Sequence, residues 1–245
     1  MHSSCWLQSG QPNSPPPGCL PDKYFTVAKK KLVHFEENLT FPHLIQPPFD
    51  AVHSGFNLQS NWGKDFFHNT SPIIIELGCG KGEYTVGLGQ RYPELNFIGI
   101  DVKGARLWRG ARTVQDNAMK NVAFIRQRVD FVDRLFGKGE VSEIWITFPD
   151  PQHGKERKRL TSPLFLEKYR RILVKNGVVH LKTDDQRFFN YTKEILDSCK
   201  CKILTETEDL YHSGAPDEVT SIQTYYEGIW LKQEKKICYL KFMLA

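Results

Sequence analysis

The stretch "ELGCGKG", residues 76–82, decides the fold of this chain. It follows a run of three isoleucines at residues 73–75, and β-branched runs of this kind are typical of a buried strand. Three glycines then alternate with single residues. Glycines at this density let a backbone turn tightly and come close to a ligand. The stretch therefore predicts a strand that ends in a ligand-binding loop.

The spacing within the loop argues against two kinds of nucleotide site. A phosphate-binding loop needs GxxxxGK[ST], which the stretch does not contain. A dinucleotide fingerprint needs GxGxxG, and counting from Gly78 places Glu83 at the third glycine, where its charge lies beside a pyrophosphate. An ExGxGxG pattern remains, with Glu76 ahead of Gly78, Gly80 and Gly82. A tight turn without a ligand is the alternative interpretation.

A second acid closes the next predicted strand. Residues 96–101, "NFIGID", end on Asp101, which follows Gly82 at close to the ~20 residues expected of an acid that binds ribose hydroxyls. A strand-end cap is the competing role, and the spacing favours the ribose. This combination resembles the class I S-adenosylmethionine-dependent methyltransferases. The resemblance implies a cofactor without phosphate, whose ammonium and sulfonium groups suit a carboxylate such as Glu76.

The rest of the chain alternates strands with helices. Further strands are predicted at residues 121–127, 142–150, 178–184, 202–207 and 236–243, and helices at residues 83–90, 104–120 and 186–199. One more helix has Ser162 as its N-cap, Pro163 in its first turn and Gly177 past its end. This order predicts an α/β, Rossmann-like class I methyltransferase fold, a mostly parallel seven-stranded sheet with helices on both faces. Ligands of such sheets bind beyond the carboxyl ends of the strands.

Length and composition divide the chain into three parts. Its 245 residues are 40% hydrophobic, enough for one large α/β domain. Residues 1–22 predict a flexible Pro-rich tail, residues 23–71 an N-terminal extension, and residues 72–245 the S-adenosylmethionine-dependent methyltransferase domain. No apolar run approaches the ~20 residues of a membrane helix, and no secretory signal is recognisable. We therefore expect a cytoplasmic protein without a membrane partner.

Cysteine and histidine spacing argues against a metal site. The six cysteines include no CxxC pair, and Cys199 and Cys201 form a CxC pair with no second pair to complete a zinc site. The eight histidines show no HExxH spacing. We expect reduced thiols and no metal.

A second informative stretch, "FPDPQHGKERKRLT", occupies residues 148–161. A predicted strand ends there on Asp150, and a cationic loop follows with Lys155, Arg157, Lys158 and Arg159. The net charge of the chain is only +5, so the position of these cations matters more than their number. Four close cations suit contacts to nucleic-acid phosphates. A solvated loop is the alternative.

With two further motifs, KTD at residues 182–184 and TYYE at residues 224–227, the chain resembles the tRNA (guanine-N7-)-methyltransferase family. The resemblance covers roughly residues 72–242 and is carried by ELGCGKG, FPDP followed by KRLTSPLFL, KTD and TxYE. It implies an enzyme that methylates N7 of a guanine in tRNA, with S-adenosylmethionine as its cofactor and tRNA as its partner.

The resemblance also implies roles for individual residues. Contacts to the cofactor are implied for the loop glycines Gly78, Gly80 and Gly82 and for the acids Glu76, Asp101, Asp130 and Asp150. Asp150 is also the implied catalytic acid, and contacts to the substrate are implied for Asp184, Thr224, Tyr225, Tyr226 and Glu227. Asp130 competes with a plain surface role. Where the bacterial family usually has Trp-Pro-Lys, this chain has Gln152-His153-Gly154, so the family lysine falls on Gly154 and Lys155 is the expected substitute.

The chemistry implied for this site requires little proton transfer. Guanine N7 carries a lone pair and no proton, so its methylation needs no obligatory general base. Alignment of N7, the methyl carbon and the sulfur for in-line displacement is the main requirement. Because the purine gains positive charge, nearby carboxylates favour the transition state. We hypothesise that Asp150 and Asp184 accept hydrogen bonds from the guanine and supply this field.

Other functions stay open on the sequence alone. The chain is also compatible with a class I methyltransferase for another RNA, a protein or a small molecule, and with a non-catalytic RNA-binding module. No cysteine lies in the Asp150 loop, which argues against a covalent C5 pyrimidine methyltransferase. The segment DPQH, residues 150–153, differs from the [DNS]PP[YFW] motif of adenine-N6 enzymes at its third and fourth positions. Monomer and homodimer are both open.

Overall fold

Parallel strands form most of the sheet that organises the molecule. The computed structural model describes residues 31–214 and 217–244. Its strands are β1 Leu44–Ile45, β2 Ile73–Leu77, β3 Asn96–Asp101, β4 Val122–Arg126, β5 Val141–Thr147, β6 Leu173–Thr183, β7 Lys202–Thr207 and β8 Cys238–Met243. They pair in the order β1-β4-β3-β2-β5-β6-β8-β7. β8 runs antiparallel to β6 and β7, and the other pairs are parallel.

Helices cover both faces of this sheet. They are α1 (residues 31–38), α2 Phe49–Ser54, α3 Glu83–Arg91, α4 Gly104–Asp116, α5 Val132–Leu135, α6 Pro163–Ile172, α7 Gln186–Ser198, α8 Asp217–Thr220 and α9 Tyr225–Lys232. Leu107 of α4 packs in one core cluster with Phe97, while Leu166 of α6 packs in a second with Ile98. The neighbours Phe97 and Ile98 thus point to opposite faces, as alternate strand residues do. Among the described residues, no helix is both long and apolar enough to cross a membrane.

The eighth strand corrects the predicted count of seven. β1 lies parallel to β4 at the sheet edge, with Leu44 opposite Phe124 and Ile45 opposite Ile125. Its two residues are too short for strand periodicity to show, and Pro47 and Pro48 follow closely. Nothing local in the sequence therefore indicates a strand.

The region between α6 and β6 also differs from the prediction. Ser162 and Pro163 occupy the predicted first positions of α6, but the helix ends at Ile172 and β6 begins at once. Gly177 lies inside that strand rather than after the helix. The pairing register with β5 shifts between Val141 and Glu143, and Asn176 has a φ of +66°. The Asn-Gly pair thus lies in an irregularity of the ladder, which is the other structural use of such residues.

Residues 31–71 pack into the same core as the sheet. Trp62 is fully buried, and its indole N–H donates to the carbonyl oxygen of Leu135 at 2.9 Å. Val52 and Phe56 belong to the same cluster as Ile98. The described part of the predicted N-terminal extension is therefore integral to the fold, while the predicted tail at residues 1–22 lies outside the described residues.

One aromatic ring fixes how closely the glycine loop, β3 and α4 approach. Phe124 of β4 is fully buried. A Cβ atom built on Gly82, Gly99 or Gly110 would stand 2.5, 2.7 or 2.5 Å from its ring, closer than real Cβ atoms come. Three separate segments therefore lack a side chain where they meet this phenylalanine.

Candidate active site

The glycine loop joins β2 to α3 in left-handed backbone conformations. Gly78, Gly80 and Gly82 have φ values of +74°, +59° and +72°, which residues with a side chain rarely adopt. The backbone N–H groups of Gly78 and Cys79 donate to the carbonyl oxygen of Ile100, at 2.8 and 3.1 Å. The loop is therefore folded back onto the end of β3.

Asp101 ties this loop down from the end of β3. One carboxylate oxygen accepts from the backbone N–H of Gly80 at 3.0 Å, and the other accepts from that of Lys103 at 2.7 Å. The strand-end cap offered by the sequence as an alternative is thus present. The same side chain also lines the main cleft, which is where the predicted ribose contact requires it.

Glu76 lies beneath the loop, 3% exposed. Its carboxylate accepts from the backbone N–H of Thr85 at 2.9 Å, from the Thr85 hydroxyl, and from the Thr147 hydroxyl at 2.5 Å. Burial raises the pKa of Glu76 to about 7, against the opposing effect of these hydrogen bonds. The side chain joins β2, α3 and β5 below the site. Its partner Thr147 also lines a cavity beside the glycine loop.

The main cleft, about 430 Å³, opens at the carboxyl ends of the strands. Its wall brings together four predicted cofactor residues from four separate segments, Gly78, Asp101, Asp130 and Asp150. Four cations line it as well, Lys103, Arg106, Arg128 and Lys158. Acids and cations that line the same cleft suit a ligand that is cationic itself and is followed by a polyanion. No group of three or more His, Cys, Asp and Glu side chains in residues 31–214 and 217–244 is placed to hold a metal ion.

A smaller cavity of about 90 Å³ adjoins the cleft and shares Gly78, Arg106 and Phe148 with it. It is also lined by Thr224 and Tyr226, two of the predicted substrate residues. The loop predicted for the cofactor and the turn predicted for the substrate therefore face one continuous space.

The turn at residues 224–227 forms the first turn of α9. Thr224 is its N-cap and exchanges hydrogen bonds with Glu227 in a capping box. Tyr225 and Tyr226 are 57% and 48% exposed. The backbone N–H of Tyr225 donates to the Glu83 carboxylate at 2.8 Å, which fastens the turn to α3 beside the glycine loop.

Comparison with known proteins identifies the relatives of this chain. A family model described as "Putative methyltransferase" matches residues 70–240. A Bacteroides fragilis protein named tRNA (guanine-N(7)-)-methyltransferase is 49% identical, over 89% of this chain and 87% of its own length. A Porphyromonas gingivalis protein of the same name is 50% identical, over 84% and 86%. The chain belongs to the tRNA (guanine-N7-)-methyltransferase family.

Solved structures place this family member in the predicted fold class. The 16S rRNA methyltransferase KamB superposes with a TM-score of 0.58 over 74% of this chain and 92% of its own, at 12% identity. An antibiotic-related methyltransferase gives 0.55 over 73% and 90%, at 17% identity. At such identities the likeness concerns the fold alone. The predicted class I methyltransferase fold is confirmed, with eight strands in place of seven.

The cationic loop of this family member divides into two kinds of residue. Lys155, Arg157 and Lys158 are exposed, whereas Arg159 is only 7% exposed. Its guanidinium donates to the Pro151 carbonyl oxygen at 3.0 Å, and this contact makes it part of the scaffold. Arg159 is thus a poor candidate for the phosphate contacts expected of the four cations.

Gly154 stands where the family motif has its lysine. Gly154 has a φ of +72°, a conformation that suits glycine and strains lysine. Lys155, the predicted substitute, lines a shallow surface pocket outside the main cleft. Lys158 lines both this pocket and the main cleft. Lys158 is therefore the loop cation best placed to reach a substrate.

Two of the predicted substrate acids in this family member are already paired. Asp184 lies at the end of β6 with an ion pair to Lys235 at 3.6 Å. Glu227 has no exposed side-chain surface and pairs with the fully buried Lys182 at 2.7 Å. Glu227 therefore supports the turn from inside, which corrects the expectation of a direct substrate contact through its carboxylate.

Three residues with a candidate function were not predicted from the sequence. Arg106 and Lys103 line the cleft from the start of α4, directly after Asp101. Their position in the cleft could have been predicted, because the residues that follow the second strand of such a sheet lie at the edge where ligands bind. Lys182 stands inside the KTD motif, but its burial depends on packing that no local pattern reports.

Proposed function

We propose that this protein transfers the methyl group of S-adenosylmethionine to N7 of a guanine in tRNA. The observation that carries the proposal is the cleft itself, where Gly78, Asp101, Asp130 and Asp150 meet from four strand ends. The relatives that bear this activity in their name are up to 50% identical over most of the chain.

The cleft offers the groups that the cofactor requires. Asp101 presents its carboxylate at the wall for ribose hydroxyls, and Val102 beside it exposes an apolar surface against which a purine can pack. The left-handed glycine loop brings backbone rather than side chains to the cleft. When bound, S-adenosylmethionine supplies an electrophilic methyl group on a sulfonium. Asp130, which also lines the cleft, completes the proposed set.

Asp150 is the proposed catalytic residue at the acceptor side. Its exposed carboxylate is held by the backbone N–H of Gln152 at 2.9 Å, so it projects from a fixed loop. Phe148, two residues earlier, has a φ of +48° and anchors its N–H on the Lys182 carbonyl oxygen at 2.9 Å. A carboxylate held in this way accepts hydrogen bonds from the guanine and stabilises the positive charge that develops on the ring.

The cations of the cleft support tRNA as the acceptor. Lys103, Arg106 and Lys158 line it, where they can contact the phosphate backbone of a tRNA whose base enters. Each neutralised phosphate adds salt-dependent affinity. The cytoplasm is the proposed location, and the free thiols of the four described cysteines suit a reducing compartment.

Methylation of unmodified tRNA tests the proposal. The protein is incubated with methyl-labelled cofactor and tRNA, and the product is treated by chain cleavage selective for 7-methylguanosine. We expect label in tRNA and cleavage at one position, with neither in a parallel reaction of Asp150→Ala. Label in tRNA without this cleavage contradicts N7 as the acceptor. Binding of tRNA without any label supports a non-catalytic RNA-binding module instead.

A further inference from the structure

The side chain of Lys182 ends in the interior beneath the substrate turn, 0% exposed. Its amine forms an ion pair with Glu227 at 2.7 Å and donates to the Val219 carbonyl oxygen at 2.8 Å. Lysine is almost never fully buried unless it is paired. The burial of Lys182 therefore depends on the groups that its amine contacts.

Glu227 passes this contact on to the turn. Its carboxylate accepts from the Tyr211 hydroxyl at 2.7 Å and from the backbone N–H of Thr224 at 3.2 Å. Its own N–H donates to the Thr224 hydroxyl at 3.2 Å. The cap of α9, and with it the exposed Tyr225 and Tyr226, is thus fixed to the carboxylate that Lys182 neutralises.

The backbone of Lys182 holds the opposite side of the same space. Its carbonyl oxygen accepts the N–H of Phe148, whose strained φ of +48° begins the loop that carries Asp150. One residue of β6 therefore contacts the acceptor loop through its backbone and the substrate turn through its side chain.

We propose that Lys182 is a positioning residue for the acceptor, which sets the turn at residues 224–227 over the cleft by pairing with Glu227. The inference rests on the proposed function and adds a specific role for a residue that touches neither ligand. Removing one member of a buried pair leaves an uncompensated charge in the interior. The turn then opens, and the acceptor site loses its shape while the cofactor loop keeps its own contacts.

Two opposite single variants give opposite pH responses. In Lys182→Met, the Glu227 carboxyl stays buried at low cost only when it is protonated, so the turn closes as pH falls. In Glu227→Gln, the Lys182 amine stays buried at low cost only when it is neutral, so the turn closes as pH rises. The titratable groups facing the pair are Tyr84 of α3, Glu76 of β2 and Tyr211 of the 3-10 turn Leu210–His212.

The test measures the KM for tRNA and the Kd for S-adenosylhomocysteine between pH 6 and pH 8.5. At pH 7.5 we expect Lys182→Met to raise the KM at least about tenfold. Breaking a buried ion pair costs more than this factor, but part of the cost is relieved because the turn can rearrange at the surface. The Kd should change by less than about twofold, the range of a site not perturbed. The KM of Lys182→Met should improve toward pH 6 and that of Glu227→Gln toward pH 8.5. The double variant should be flat with pH and close to the better single variant.

Lys193→Met is the matched control, because it removes an exposed ion pair with Glu206 on the distant edge of the sheet. It should leave both constants unchanged. Equal loss of tRNA and cofactor affinity in Lys182→Met, or the same pH response in both single variants, overturns the inference. If Lys182→Met does not fold, the pH response of Glu227→Gln alone decides.

Amide hydrogen exchange separates this inference from the proposed function. Faster exchange across residues 224–232 in Lys182→Met than in the unsubstituted protein supports the positioning role, whether or not tRNA is methylated. Unchanged exchange there overturns it. An unsubstituted protein that is inactive toward tRNA overturns the proposed function alone.

Discussion

The acids of this protein fall into two groups that meet at the same edge of the sheet. Asp130 and Asp150 are exposed on the walls of the cleft. Glu76 and Glu227 end in the interior, 3% and 0% exposed, each with several hydrogen bonds from neighbouring segments. Glu76, Asp150 and Glu227 lie in the motifs that carry the family resemblance, whereas Asp130 lies outside them. We infer from the difference that an exposed acid of the site acts on a ligand, whereas a buried acid supports the loop that faces it.

Asp101 stands between these groups. It is 9% exposed, caps the glycine loop and still lines the cleft. The acids therefore range from exposed residues on the cleft wall to buried residues that support the loops. Substituting the most exposed acids should affect turnover, whereas substituting the most buried acids should affect stability.

Replacing Asp150 should have the largest effect on turnover. We expect Asp150→Ala to lower kcat by about 100- to 1000-fold, because it removes a charge that stabilises the transition state. The Kd for S-adenosylhomocysteine and the melting temperature should hardly change, since the carboxylate is exposed. Steady-state kinetics, calorimetric binding and thermal melting measure the three quantities.

Asp130→Ala is the comparison for that prediction, from the same cleft. It should weaken cofactor binding more than it lowers kcat. If Asp150→Ala abolishes cofactor binding as strongly as turnover, the assignment of Asp150 to the acceptor side is wrong.

The ionisation of Glu76 should make the free energy of unfolding depend on pH. The pKa of its carboxyl is raised from 4.5 to about 7 in the folded protein by burial. A raised carboxyl pKa stabilises the fold while the group is protonated, and this contribution is lost as pH rises from about 4.5 through about 7. We expect the free energy of unfolding to fall by up to about 3 kcal/mol over this window.

Glu76→Gln keeps acceptors and donors for Thr85 and Thr147 but does not ionise. Urea unfolding at pH 5 and pH 8 should therefore show a smaller difference for this variant than for the unsubstituted protein. Asp130→Asn, an exposed counterpart, should leave the difference as it is. An unchanged difference in Glu76→Gln shows that another group produces it.

The smallest effect is expected in the cationic loop. Lys158→Ala should raise the KM for tRNA several-fold and reduce the slope of log KM against log salt by about 0.7–0.9, the value of one phosphate contact. Lys155→Ala should change both less, because its side chain lies outside the main cleft. Kinetics at several salt concentrations measure both slopes. A larger effect of Lys155→Ala restores Lys155 as the substitute for the family lysine.

The strand ends that carry the cleft could be predicted from the sequence. β2 ends at Leu77 and β3 at Asp101, where the β-branched runs give way to the glycine loop and to an acid. Parallel pairing then requires that these ends meet at one edge. Local pattern and topology agree here, so the fold and the place of Asp101 and Asp150 followed from the residues, whereas Asp130 came only from the family resemblance.

Depth and irregularity could not be predicted. Because Glu227 is charged, the sequence predicts an exposed position for it. Only the packed fold brings it against Lys182 in the interior. β1 has two residues, too few for a period, and the Asn-Gly pair before residue 178 has the composition of a turn although it lies within β6. Each of these features depends on partners that are distant in sequence.

The ring of Phe124 has a consequence for how the sequence can change. Neither Gly99 nor Gly110 has a positive φ, so contacts alone keep a methyl group from these positions. Besides the ring, an added Cβ would meet the Thr85 hydroxyl at Gly99 and the Lys81 carbonyl oxygen at Gly110, each at 2.8 Å. A smaller residue at position 124 relieves only the ring contact, so alanine at position 110 still meets the Lys81 backbone, and Gly82 must stay glycine because of its φ of +72°. Substitution at positions 99 and 110 is therefore limited jointly by a ring of β4 and by the segment that follows β2, whose Lys81 backbone and Thr85 side chain meet α4 and β3.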